Sequence, residues 1–144
     1  MTGIRSALVL ALAPILALAL IGCGQKAWPS PDASQDAYQW AKVKCSRDKG
    51  CLFIDAFLTG AAQNLASVTV EIELLDDACP GCPFNMDLGR RIFPGEPGFR
   101  QSGSHLQLYL CGLDPRQAYR FRLKGENTFT GLPTAVSDLY TAAP

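Results

Sequence analysis

Apolar and polar residues alternate along this chain in short runs. The clearest is residues 67–75, where Val68, Val70, Ile72 and Leu74 fall on one side of an extended backbone and Thr69, Glu71 and Glu73 on the other. Successive side chains of a strand point to opposite faces, so a two-residue period describes a half-buried strand. The period returns at 104–110, where Leu106, Leu108 and Leu110 share a face, and at 119–123, where Tyr119, Phe121 and Leu123 do. Residues 38–44 alternate more loosely. Residues 51–58 are apolar and β-prone, 90–93 offer a short strand, and 135–141 a last edge strand. Polar or Gly- and Pro-bearing breaks at 46–50 and 60–64 separate the runs, as does the long irregular stretch 76–99 with Pro80, Pro83, Pro94 and Pro97. No segment sustains a helical period, and there is no internal repeat. About seven antiparallel strands are therefore expected, closing an all-β, immunoglobulin-like sandwich over residues 37–144.

The chain ahead of these strands is organised differently. Arg5 supplies a positive start, residues 6–21 are apolar apart from Ser6 and Pro14, and small Gly22 precedes Cys23. This is the layout of an export leader, and the run is marginal for a spanning helix, which needs about 20 apolar residues. Residues 24–36 carry Pro29, Ser30, Pro31 and Ser34 without apolar periodicity and read as an extended, mobile tether. Leu20-Ile21-Gly22-Cys23 resembles the lipobox of bacterial lipoproteins at all four positions. The resemblance implies cleavage after Gly22, a diacylglyceryl thioether on the Cys23 sulfur, and a palmitate-type acyl group on the new amine. The expected parts are thus a signal peptide (1–22), a lipidated N-terminus with its tether (23–36) and one domain (37–144). Stable anchoring takes about two lipid signals, which a triacylated Cys23 provides. Gly24 follows Cys23, and by resemblance to enterobacterial sorting this favours an outer-membrane lipoprotein facing the periplasm.

Charge adds an exclusion. Thirteen Lys and Arg balance thirteen Asp and Glu over 144 residues, which disfavours nucleic acid or a polybasic membrane patch as partner. Arg90-Arg91 and the trio Arg116, Arg120 and Arg122 read as solvated strand faces.

Export also decides how the six cysteines are read. Lipidation of Cys23 leaves Cys45, Cys51, Cys79, Cys82 and Cys111 in an oxidising compartment, where disulfides are expected and one thiol is left over. Cys45 and Cys51 flank a short turn and are plausible cross-strand partners, closing a small loop worth about 2 kcal/mol. Cys111 ends a strand and could pair with Cys79 or Cys82, pinning the irregular stretch to a sheet.

A second resemblance lies in the C-terminal third. Gly112-Leu113-Asp114-Pro115 followed by Tyr119-Arg120-Phe121-Arg122-Leu123 is similar to the turn and sixth strand of fibronectin type III domains. Asn127, Gly131, Pro133 and Ser137-Asp138 continue the likeness. It implies a tyrosine corner built from Leu113 and Tyr119. Trp40 falls early for the family's core tryptophan, and Phe53 is expected in that place. The extra cysteines depart from the family.

Candidate chemistry is sparse. Cys79-Pro80-Gly81-Cys82 could close a tight disulfide, bind metal or be a redox pair, but redox activity needs a helix N-terminus to lower a thiol pKa, and Pro83 follows directly. Pro83 also stands where covalent haem attachment needs His. Zinc would need Cys79, Cys82, Cys111 and His105 together. His105, the single histidine, starts a strand and is expected to face solvent, and Asp76-Asp77 read as a solvated turn. The leader Cys23-Gly24-Gln25-Lys26, with Pro29 after it, resembles small lipoproteins that assist the lipopolysaccharide-export translocon, although Ala27-Trp28 interrupts the pattern. The sequence thus predicts a non-enzymatic, cofactor-free module of the cell envelope, held to a bilayer through Cys23 and presenting a surface to an envelope protein partner. The alternatives are a redox or metal-handling protein using Cys79 and Cys82, and an assembly helper acting through the leader.

Overall fold

The strongest alternation in the sequence becomes the centre of a sheet. In the computed structural model, which describes residues 30–75 and 81–144, nine strands form: β1 (Tyr38–Asp48), β2 (Cys51–Gly60), β3 (Leu65–Leu74), β4 (Leu88–Ile92), β5 (Phe99–Ser102), β6 (His105–Cys111), β7 (Tyr119–Asn127), β8 (Ala135–Val136) and β9 (Tyr140–Ala142). One sheet (sheet A) has the order β1-β2-β6-β5 and the other (sheet B) β4-β3-β7-β8, with β9 also on β7. All pairs are antiparallel. This is the strand order of an immunoglobulin-like sandwich.

The core follows from the two-residue period. Leu52, Ile54, Ala56 and Leu58 of β2 and Leu106, Leu108 and Leu110 of β6 meet Val68, Val70 and Ile72 of β3 and Phe121 and Leu123 of β7, all buried. Burying a side chain of this size is worth about 1.5–3 kcal/mol. The loose alternation of β1 has a local cause. The pairing shifts between Trp40 and Lys42, so Ala41 is an extra residue and the inward set changes from Tyr38 and Trp40 to Val43 and Cys45. Tyr38 and Trp40 cross to the other sheet and close on Gly125 of β7, where an added Cβ would lie 2.8 Å from the Tyr38 hydroxyl. The Trp40 Nε1–H donates to the Ala135 carbonyl at 3.0 Å.

Several expectations are corrected. Nine strands replace about seven. The four residues of β5 lie just past a Pro- and Gly-rich turn that hides them. The last edge strand is broken because the Ser137 hydroxyl, not a backbone carbonyl, accepts from the Leu123 N–H at 2.9 Å, leaving β8 and β9 on either side. Phe53 does not fill a core position. It is 43% exposed, while its neighbours Leu52 and Ile54 point inward. Residues 31–36, which the sequence places in the tether, belong to the compact unit, which begins at Pro31. Ala33–Asp36 forms a helical turn, α1, with Asp32 accepting from the Ser34 N–H at 2.9 Å as its N-cap. The Asp36 carbonyl then accepts from the side-chain amides of Asn64 and Asn127 at 3.0 and 2.8 Å, which ties the turn to the sandwich.

The arginines of β7 do not form a simple solvated face: Arg120 is buried and Arg122 is partly exposed, and both are paired. On the outer face of sheet B, Glu71 lies opposite Arg122 and Glu73 opposite Arg120. The Arg120–Glu73 pair is buried, with Nη2 and Oε2 2.5 Å apart, and Arg122 Nε donates to Glu71 at 2.6 Å. The segment around Cys82–Asp87 covers this face. Arg120 donates to the Cys82 carbonyl, Arg122 lies over the Phe84 ring, and the Asn85 N–H donates to Glu73. Residues 1–29 and 76–80, with the leader, Cys23, Asp76-Asp77 and Cys79, lie outside the described residues. Among the described residues no helix is long and apolar enough to cross a membrane.

Candidate functional site

The outer face of sheet A is built from residues that alternate with the core. On β2 these are Cys51, Phe53, Asp55 and Phe57, and on β6 Cys111, Tyr109, Gln107 and His105. Register pairs them one to one. The result is four cross-strand rows on one solvent-facing surface. Cys51 and Cys111 are joined by a disulfide. Phe53 and Tyr109 lie side by side with ring centroids 6.4 Å apart. Gln107 donates to Asp55 at 3.3 Å. Phe57 stacks on the His105 ring at 4.7 Å. A diagonal contact ties the last two rows, since His105 Nε2 is 2.9 Å from the Asp55 carboxylate. Rows two residues apart on a strand are about 6.7 Å apart, so Phe53 and Phe57 are separated by about 13 Å.

Flanking elements turn the middle of this face into an open groove of about 950 Å³. Lys44 and Ser46 of β1 form one side, and Glu96, Pro97, Gly98 and Arg100, leading into and along β5, form the other. Phe53 and Tyr109 lie in its floor. Gly98 sets the far wall. Its φ is +97°, and a Cβ there would sit 2.7 Å from the Tyr109 carbonyl, so only glycine lets the loop close on β6. The Tyr109 N–H donates to the Gly98 carbonyl at 3.0 Å, locking that approach. Hydrogen bonds from His105 and Gln107 hold the Asp55 carboxyl below its ordinary pKa, so it is ionised at neutral pH.

The cysteines are arranged differently from the sequence expectation. Cys51 pairs with Cys111, sixty residues away, and not with Cys45. In the β1–β2 hairpin Cys45 lies opposite Ile54 and points inward, whereas Cys51 is an outward residue opposite Cys111. The short-loop pairing would join opposite faces of a sheet. Cys45 is the free thiol among the described residues. It is half-buried against the core, contacts the Thr141 carbonyl at 3.6 Å, and has its pKa pushed up by burial. A thiol held protonated is a weak nucleophile. Cys82 is disulfide-bonded, and Cys111 is not available to it. The four-residue zinc set is likewise dismantled, because Cys111 is spent in the disulfide and His105 is held by Asp55 and Phe57.

At the turn into β7, Leu113 is buried. The Tyr119 hydroxyl accepts from the Asp114 N–H at 3.0 Å. Arg47 of β1 reinforces this corner. It donates to the carbonyls of Asp114 and Gln117 and lies 5.0 Å above the Tyr119 ring. The groove is not legible in the sequence. The signal was the shared outward parity of Phe53 and Tyr109, which acquires meaning only once β2 and β6 are known to be neighbours. No protein-family model and no curated protein sequence matches this chain.

Proposed function

We propose that the chain is a lipid-anchored lipoprotein of the bacterial cell envelope, a non-enzymatic binding module tethered through Cys23 to the outer membrane and facing the periplasm, with a fibronectin type III-like sandwich as its contact surface. The observation that carries the binding reading is the open groove on the outer face of sheet A, floored by exposed Phe53 and Tyr109. Solvent-facing aromatic rings beside fixed polar groups are a contact surface that folding alone does not call for. The groups most suited to catalysis have other tasks. The only histidine is tied to Asp55 and Phe57, and the Cys45 thiol is protonated and half-buried. The anchoring reading rests on Leu20-Ile21-Gly22-Cys23 after an apolar run. An envelope protein is the expected partner class, and the bilayer is reached through acylated Cys23.

Membrane fractionation of the full chain and its Cys23→Ser variant tests the anchoring. The intact chain is expected in the outer-membrane fraction and the variant in the soluble periplasm or uncleaved. An intact chain recovered wholly in the soluble fraction would overturn the reading.

A further inference from the structure

The chemistry of the groove narrows what it can hold. Its charges cancel: Lys44 and Arg100 balance Asp55 and Glu96 among the lining residues, so it offers neither a polyanion nor a polycation a net attraction. Its floor joins the Phe53 and Tyr109 rings to the planar, hydrogen-bonding ends of Asp55 and Gln107, one row further along the same two strands. A lipid chain would bury that polar row without partners for it, which is costly. A flat protein partner typically needs about 800 Å² per side. The groove is concave, and its volume of about 950 Å³ falls within the 300–1,000 Å³ range of small-ligand sites.

We infer that the groove binds a neutral saccharide chain. A sugar ring carries an apolar C–H face that packs on an aromatic ring and a rim of hydroxyls that both donate and accept. Phe53 and Tyr109 would take the faces of successive units. Asp55, ionised and already fixed by His105 and Gln107, would accept from hydroxyls. The Gln107 amide, Lys44 and Arg100 would donate to them. Asp55 is pre-positioned, so little ordering entropy is lost on binding. The inference deepens the binding-module reading and names its ligand class.

The test is calorimetric titration of the full, lipidated chain in detergent micelles with two neutral hexasaccharides, one of β-1,4-linked N-acetylglucosamine and one of α-1,4-linked glucose. Binding of either, weakened about tenfold or more by Tyr109→Ala and by Phe53→Ala and kept by Tyr109→Phe, is the expected result. The preferred sugar identifies the linkage. Both side chains are exposed, so the variants should keep the parent's unfolding midpoint, and that measurement accompanies each titration. No heat from either sugar at millimolar concentration, or binding unchanged in both alanine variants, overturns the inference. Cys23 fractionation is independent of this result, so failure of the saccharide site and failure of the anchoring reading are told apart.

Discussion

Removing the Cys51–Cys111 crosslink should be among the most damaging changes to the sandwich that leave its core side chains in place. The bond joins β2 to β6 on the outer face of sheet A and spans sixty residues. In the chain-entropy account a crosslink acts by restricting the unfolded chain, with a loss that grows with the logarithm of the loop. A loop of this length gives about 4 kcal/mol, twice the value for the short loop between Cys45 and Cys51. For a domain of this size that corresponds to a fall in melting temperature of roughly 15 °C. The double variant Cys51→Ala/Cys111→Ala should therefore melt far below the parent, and reduction should lower the parent at least as far, because it also opens the disulfide at Cys82. Cys45→Ala removes only a half-buried thiol and should cost about 1 kcal/mol. Thermal unfolding followed by circular dichroism, with and without reductant, reads all three. If Cys45→Ala proved as damaging as the double variant while Cys111→Ala alone were silent, the short-loop pairing would be right and the register between β2 and β6 wrong.

Other consequences are smaller or more local. Arg120→Ala strands the buried Glu73 carboxylate on the outer face of sheet B and should cost about 3–5 kcal/mol by urea denaturation, and a loss under 1 kcal/mol would mean the pair is solvated. Tyr119→Phe removes the hydroxyl that accepts from Asp114 and should lower stability by about 0.5–1.5 kcal/mol. Tyr38 is buried, and its hydroxyl has no hydrogen-bond partner among the described residues. Tyr38→Phe should therefore leave stability at neutral pH unchanged or raise it by up to about 1 kcal/mol. Burial raises the folded-state pKa of Tyr38 well above its ordinary 10.0. The unfolded chain then loses the phenol proton first, so stability should be full below pH 10 and fall as pH rises above it. That alkaline slope should be shallower in Tyr38→Phe, and an unchanged slope would assign it to other groups.

Much of the sandwich was legible because its strands bury one face. The alternations around Val68–Val70–Ile72, Leu106–Leu108–Leu110 and Phe121–Leu123 each became a strand with that set inside. What one strand cannot reveal is its neighbour. Glu71 and Glu73 alternate with core residues, as do Arg120 and Arg122, but the ion pairs appear only when β3 lies beside β7. The same holds for Cys51 with Cys111 and for Phe53 with Tyr109. Proximity in sequence favoured Cys45 as the partner of Cys51, and strand parity forbids it. Phe53 was placed inside by the likeness to the fibronectin family's core tryptophan, and because β2 is apolar nearly throughout, hydropathy alone does not assign its faces. Ala41 hid the period of β1 by inserting one residue. The carbonyl of Asp36, bound by two asparagines distant in sequence, drew α1 out of the expected tether and onto the sandwich.

The lipid-anchored, disulfide-linked sandwich is tested most directly by the intact mass of the full chain extracted from membranes, alkylated without reductant under denaturing conditions and mapped by peptide. The expected products are a chain that begins at Cys23 with lipid on it, a Cys51–Cys111 crosslinked peptide, and alkylation at Cys45. A chain with unmodified Cys23 would contradict the lipid-anchored module, and a Cys45–Cys51 crosslink would contradict the sheet on which its groove is built.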